Sequence, residues 1–362
     1  MGLQFDGNSG PITFSEIQAE FGGTGPISIS EYYRNGVYVT DNNINIPDSG
    51  QITLSNFYGA SKKLVVPISA NSTDVQAANL LSTAGWNNAS FFEIIINPGI
   101  TVYSTTTNSA GLTIDGSYPY GFKVINNGVI MGKGGAGGNR SVLNGEDGGV
   151  ALKTYNSYTD AYMTVINNTA ATIAGGGGGG GGMPNAGGEI YGGGGGGAGG
   201  GAGGQAYQER GDFNLGSPGA GGSLGAVGGA GTGDGSGAPT GGGSGGGGGS
   251  YTQDGISSTR NGGSSGAGGG RIIPGVGGVG GDGERNGGSG GTAGAAGAAG
   301  QTYIPITSET GAGGGGGWGA PGGNSVTSSF TSYGGAGGPA INKYGTIVSV
   351  TNLGLIYGAI VD

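Results

Sequence analysis

Eight consecutive glycines, Gly175–Gly182, open a stretch reaching Gly338 that holds most of the chain's 100 glycines. GGGGGG (192–197), GGGSGGGGG (241–249) and GAGGGGGWG (311–319) follow within it. Glycine loses more backbone freedom on folding than any other residue and brings no side chain to bury. Such a stretch is either a flexible linker or a fold in which backbone groups satisfy one another. As a linker it would be nearly half of the chain, and it carries Arg271-Ile272-Ile273-Pro274 and Trp318, which a linker does not need. Collagen is excluded, because the Gly-X-Y register keeps breaking and the chain has only 13 prolines.

Extended glycine can form a helix of three residues per turn rising about 3.1 Å per residue, with N–H and C=O groups directed sideways. Without a Cβ in the way, neighbouring helices approach closely and exchange these bonds, so an array is satisfied with no hydrophobic core. The interruptions fit loops between such rods. They are 205–218 (QAYQERGDFNLGSP), 250–261 (SYTQDGISSTRN), 301–310 (QTYIPITSET) and 324–333 (NSVTSSFTSY), all polar with aromatic residues. A disordered field would have few aromatic residues. Trp318, inside a glycine run, reads as a structural plug.

Both flanks of the field carry one β pattern. Val124-Ile125-Asn126-Asn127-Gly128-Val129-Ile130 and Val165-Ile166-Asn167-Asn168-Thr169 precede it, and Val350-Thr351-Asn352-Leu353-Gly354-Leu355-Ile356 follows it. Each is a short strand, an Asn turn and a second short strand. Stacked rungs of this kind make a β-solenoid-like shaft, with 339–362 returning to pair with 122–174. Leu64–Ser69 and Phe91–Ile96 read as further strands. One short helix is expected near 73–84, capped by Ser72 or Thr73, stopped by Gly85 and burying Val75, Ala78, Leu81 and Leu80.

Residues 1–63 contain three similar units, at Ile12-Thr13-Phe14-Ser15-Glu16-Ile17, Ile27-Ser28-Ile29-Ser30-Glu31-Tyr32 and Ile52-Thr53-Leu54-Ser55-Asn56-Phe57. Each reads as alternating apolar residues and then a Ser that caps a short helix, the first running Glu16–Phe21. So small a module is either a minor structural domain or a docking or oligomerisation module whose core a neighbouring chain completes. Phe14, Ile17, Phe21, Ile29, Tyr32, Leu54 and Phe57 are its candidate attachment residues.

Chemistry is narrowed by what is missing. There is no Cys and no His, which removes thiolate nucleophiles, disulfides and every histidine-based triad or ligand set. Only 9% of residues are charged and the net charge is −9, which argues against nucleic-acid backbones. Gly132-Lys133-Gly134 lacks the Ser/Thr of a phosphate loop. Glu146-Asp147 and Asp282/Glu284 leave only a carboxylate glycan hydrolase as an enzymatic alternative, without the aromatic subsites that it would need. No metal or cofactor is expected. There is no signal peptide and no apolar run of about 20 residues, so cytoplasmic synthesis without membrane insertion is expected.

The order INPG (96–99), VINNGVIMGKGGAGG (124–138), GEDGGVAL (145–152) and VINNTAATIAGGGGGGGG (165–182) resembles the glycine-rich tail proteins of bacteriophages. That group includes the receptor-recognising adhesins at the tips of T-even long tail fibres. The resemblance implies a mainly β fold with a polyglycine II helix sandwich, whose loops touch a bacterial surface receptor, either an outer-membrane protein or a polysaccharide. The expected division is a small α/β attachment module (1–63), a β-rich shaft (64–174), a polyglycine II domain (175–338) and returning strands (339–362). Tyr207, Arg210, Phe213, Tyr251, Tyr303, Phe330 and Tyr333 combine apolar area with a polar handle and are the candidate receptor contacts. The chain would sit on a virion tail in multiple copies, or as a homo-oligomer, joined to other tail or baseplate proteins through 1–63. A purely architectural tail component is the rival reading.

Overall fold

The computed structural model describes the chain except residues 1–2, 4–10, 41–42, 87–89, 140, 159–160, 183–189, 192, 206, 209–216, 231–250, 253–260, 263–268, 270, 272–276, 279, 281–286, 301–310 and 327–330. The fold is mainly β. Its body is three five-stranded parallel sheets to which the chain contributes one strand each per turn.

The first turn is β1 (Leu64–Ile68), β2 (Ser72–Thr73) and β3 (Val75–Gln76), and the second is β4 (Phe92–Ile96), β5 (Thr101–Tyr103) and β6 (Leu112–Gly116). The third is β7 (Phe122–Asn126), β8 (Val129–Met131) and β9 (Leu152–Asn156). The fourth begins with β10 (Met163–Asn167) and β11 (Thr172–Ala174). Beyond the glycine field, after the short pairs β12 (Ile190–Tyr191) with β13 (Tyr207–Gln208), β14 (Tyr251–Thr252) with β15 (Asn261–Gly262) and β16 (Ser325–Val326) with β17 (Thr331–Ser332), it ends with β18 (Ile341–Asn342). The fifth turn is β19 (Ser349–Asn352), β20 (Leu355–Tyr357) and β21 (Ile360–Val361).

Stacking is in register, so like sits on like. Ile94, Val124, Val165 and Val350 form one column, and Ile130, Ile173 and Ile356 another. Phe92 stacks on Phe122 with centroids 5.8 Å apart. These side chains meet in one core with Leu112, Leu152 and Ile341, and each full burial stabilises by about 1.5–3 kcal/mol. Glu93 is buried in the outer face of the first sheet, where Lys63 (3.2 Å) and Lys123 (3.8 Å) neutralise it.

The expected 73–84 helix is shorter. α2 spans Ala77–Thr83, because Ser72–Thr73 and Val75–Gln76 pair as strands with β5 and β6 instead. Asp74, at φ 48°, makes the corner between them. Ala77 and Leu81 are buried, Leu80 packs against the core, Val75 is buried from a strand, and Ala78 faces outward. Gly85 ends the helix at φ +75°.

In the N-terminal module, α1 (Phe14–Phe21) and two short 3-10 helices, Ile29–Tyr32 and Leu54–Phe57, begin two residues earlier than a Ser cap would put them. The caps are Thr13, Ser28 and Thr53. Their N–H groups donate to Glu16 Oε2 (2.7 Å), Glu31 Oε1 (3.0 Å) and Asn56 Oδ1 (2.8 Å), the reciprocal bond of a capping box. Ile17, Tyr32 and Phe57, one residue further in each unit, are fully buried together with Phe21. The module thus closes a core within this chain. Phe14 and Ile29 are half-buried against that core, and of the seven attachment candidates only Leu54 is exposed.

The glycine field leaves from the corner between β11 and β18, and a smaller excursion, 132–151, leaves from the same corner one turn earlier, between β8 and β9. Gly175–Gly182 lies fully buried among other tracts. Gly176 and Gly179 donate to Gly149 and Glu146, Gly177 and Gly180 to Ala198 and Gly195, and Gly178 and Gly181 to Ala320 and Gly323. The carbonyls of the same three pairs accept from Gly338 and Gly335, from Gly135 and Gly138, and from Gly316 and Gly313. All twelve N···O distances lie between 2.7 and 2.9 Å. Residues three apart meet the same neighbour, so the tract repeats every three residues and touches six others.

Glycine is obligatory there. A Cβ on Gly180 would lie 2.0 Å from the Gly313 carbonyl oxygen, and one on Gly179 would lie 1.8 Å from that of Ala136.

Candidate functional site

Tracts that follow one another in sequence run antiparallel. Gly177 and Gly180 bond to Ala198 and Gly195, Gly201 and Gly204 to Gly197 and Gly194, and Gly277 and Gly280 to Gly291 and Gly288. Each described tract therefore runs away from the β body or back to it. The two ends of the lattice differ in chemistry.

At the inner end, three turns share the pattern x-apolar-Gly-Ala: Ser223-Leu224-Gly225-Ala226, Thr292-Ala293-Gly294-Ala295 and Gly317-Trp318-Gly319-Ala320. In each, the Ala N–H donates to the first carbonyl (2.9, 2.8 and 3.1 Å), and the glycine has φ between +65° and +76°. That is the conformation of a turn with glycine in its third position. Leu224, Ala293 and Trp318 pack with Tyr103, Val129, Met131, Ala174 and Tyr357 on the outer face of the second sheet. Trp318 is fully buried there. Cations reinforce the same end. Lys133 Nζ donates to the Gly200 carbonyl, and burial, with Arg271 nearby, lowers its pKa from the usual lysine value.

At the outer end the described residues are loop 139–144 and residues that flank the other interruptions. Loop 139–144 turns there, with Val142 63% exposed, and its Leu143 carbonyl accepts from Gly182 at the far end of the octaglycine. Tyr333, 59% exposed, sits against this loop. Its N–H donates to Asn144 Oδ1 at 2.9 Å and its carbonyl accepts from Gly145 at 2.9 Å. Gly300 and Gly311, which flank 301–310, are adjacent at this end, where Gly300 donates to Asn324.

Of the seven candidate contact residues, Tyr333 is exposed at the outer end. Tyr207 and Tyr251 lie in the short antiparallel pairs with Ile190–Tyr191 and Asn261–Gly262. Arg210, Phe213, Tyr303 and Phe330 lie outside the described residues. Val142 and Asn144 were missed. Their signal is that KGGAGG-NRSVLN-GEDGG is itself a tract, a loop and a tract.

A body of stacked strands holding glycine-rich tracts by their roots, with loop 139–144 and the exposed Tyr333 at the free end, defines a scaffold for surface recognition. The family model of the phage tail fibre adhesin Gp38 matches residues 63–255. The chain belongs to that family and is a receptor-binding adhesin of a bacteriophage tail fibre. It is also similar to the crystal structure of the gp37–gp38 adhesin tip complex of the bacteriophage S16 long tail fibre, at 21% identity over 97% of this chain and 98% of that one, with a TM-score of 0.48. No curated protein matches the chain.

Proposed function

We propose that adhesion is non-covalent and is carried by the outer loops, held on a polyglycine II lattice that is rooted in a β-solenoid. The single observation behind this is the alternation of the tracts, which sets apolar turns against the body and the tract ends that lead into the polar loops at the opposite end. The three-residue repeat of Gly175–Gly182 and its six neighbours support the polyglycine II reading. The in-register turns of the body support the solenoid. The chain divides accordingly into a module at 1–63, a shaft at 64–174, the lattice at 175–338 and returning strands at 339–362. Tyr207, Arg210, Phe213, Tyr251, Tyr303, Phe330 and Tyr333, joined by Val142, contact an outer-membrane protein or polysaccharide of the host. The module at 1–63 attaches the chain to another tail protein, with Leu54 on its outer face. Synthesis is in the host cytoplasm, and several copies on one virion make weak contacts effective together.

The test is binding of the purified full chain to host cells. Tyr207→Ser, Phe330→Ser and Tyr333→Ser, alone and combined, are expected to lower binding at least about tenfold, as loss of central aromatic contacts does, with unfolding temperature unchanged. Full binding by the triple variant, with only incorporation into virions impaired, would establish an architectural role instead.

A further inference from the structure

Among the described residues from 175 to 338, Arg271 carries the only charged side chain. It is 7% exposed. Its Nε and Nη2 donate to the Gly199 carbonyl at 3.0 and 2.9 Å, and Nη2 reaches the Ser104 carbonyl at 3.4 Å. The guanidinium lies over the Tyr103 ring, 4.8 Å from its centroid, a favourable cation–π placement. Ser104 and Tyr103 belong to the β body, whereas Gly199 is the inner turn between two tracts.

The Arg271 backbone faces the other way. Its N–H donates to Ala226 at 2.9 Å, and its carbonyl accepts from Gly225 at 3.0 Å. Gly225 and Ala226 form the turn of the hairpin 219–229, which bonds to 201–204 through Gly203 and Gly219. This hairpin, unlike Gly175–Gly182, makes none of its described backbone bonds to the excursion 132–151 or to 311–338. One residue therefore joins the β body, the 199–200 turn and a peripheral layer of tracts. Burying a guanidinium is costly unless it is met; here oriented carbonyls meet Nε and Nη2, and the Asp74 carboxylate nearby favours the charge.

We propose that Arg271 is a positioning residue: it fixes the root of the peripheral hairpin 219–229 to the second sheet, and so fixes Gly219 and Gly229, the points from which the loops 205–218 and 231–268 depart. These loops carry Tyr207, Arg210, Phe213 and Tyr251, so the functional half of the proposal rests on the receptor reading above. The lattice centre does not depend on it.

The full chain is compared with Arg271→Met and Arg271→Lys by amide hydrogen exchange and by binding to intact host cells. Arg271→Met is expected to raise exchange at Gly203, Gly222 and Gly229 by about tenfold or more, leaving Gly177–Gly180 unchanged. Cell binding falls in parallel, and Arg271→Lys, which keeps the charge but loses the planar fork, restores part of both. Should Arg271→Met fail to fold, Arg271→Gln, which keeps a polar head but loses the charge and the fork, gives the same readout in weaker form. Unchanged exchange in the peripheral layer overturns the anchor. Raised exchange with undiminished cell binding supports the anchor and overturns the assignment of receptor contacts to its loops.

Discussion

Asn126 and Asn167 stand in register on adjacent parallel strands, and Asn126 Nδ2 donates to Asn167 Oδ1 at 2.8 Å with both side chains fully buried. The ladder continues from Asn167 Nδ2 to Asn352 Oδ1 at 2.8 Å. Each amide also turns the corner of its own rung or the next, as when Asn126 Oδ1 accepts from Gly128 at 3.1 Å and Asn167 Nδ2 donates to the Leu355 carbonyl at 3.0 Å. Asn167→Ala leaves one Asn126 amide N–H inside the body without its acceptor, although Asn126 still reaches the Thr172 carbonyl, and it removes the side-chain donor to the Leu355 carbonyl; the expected cost is about 1–3 kcal/mol. Asn352→Ala, at the exposed end, is expected to cost less than about 1 kcal/mol. Denaturant unfolding compares them, and equal losses would show that the ladder does not act through burial.

Gly180→Ala places a methyl 2.0 Å from a neighbouring carbonyl oxygen. The lattice has no side chain to move aside, so the expected loss exceeds about 3 kcal/mol. Gly229→Ala meets its nearest atom, the Ala220 nitrogen, at 3.1 Å and is expected to lose less than about 1 kcal/mol. Calorimetric unfolding of the two proteins decides whether tract packing is as tight as these distances require.

Trp318→Ala empties the largest side chain from the contact between turns and second sheet. A loss of about 3–5 kcal/mol is expected, with raised hydrogen exchange at Gly294, which donates to the Trp318 carbonyl at 3.0 Å. Exchange confined to the mutated turn would mean that the three turns dock independently.

Tyr118 is packed against Trp86, Phe92 and Phe122. Burial, with Asp115 nearby, pushes its hydroxyl up from 10.0 to about 12. Between these values the native chain keeps a proton that the unfolded chain releases, so stability falls as pH rises from about 10 to about 12. Tyr118→Phe removes the Tyr118 share of that slope and leaves the share of Tyr32 and Tyr120, whose hydroxyls burial also pushes up, and urea titrations of both proteins across this range measure the difference.

The stacked rungs were legible because strand, Asn turn and strand recur with the same spacing, and an Asn ladder demands that repetition. The helix at 77–83 was read four residues too early, since Ser72, Thr73 and Val75 suit either a cap or a strand, and only pairing with β5 and β6 decides between them. The excursion 132–151 went unread as part of the lattice because its tracts are short and interrupted. The inner turns were hidden by their surroundings: Leu224-Gly225-Ala226 and Ala293-Gly294-Ala295 differ little in composition from the tracts that they join. Trp318 alone stood out, and it is the residue that marks where such turns go. Arg271 was conspicuous too, but its partners lie 72 and 167 residues away in sequence, and no local pattern points to them.

The alternation of the tracts has a consequence of parity. A chain that departs from one corner of the body and must rejoin it at β18 has to cross the lattice an even number of times. A lone extra rod would strand the C-terminal strands at the wrong end. Change in this scaffold is therefore quantised. A rod pair with its loop can be gained, lost or exchanged as a unit, while the rungs before and after it keep their register.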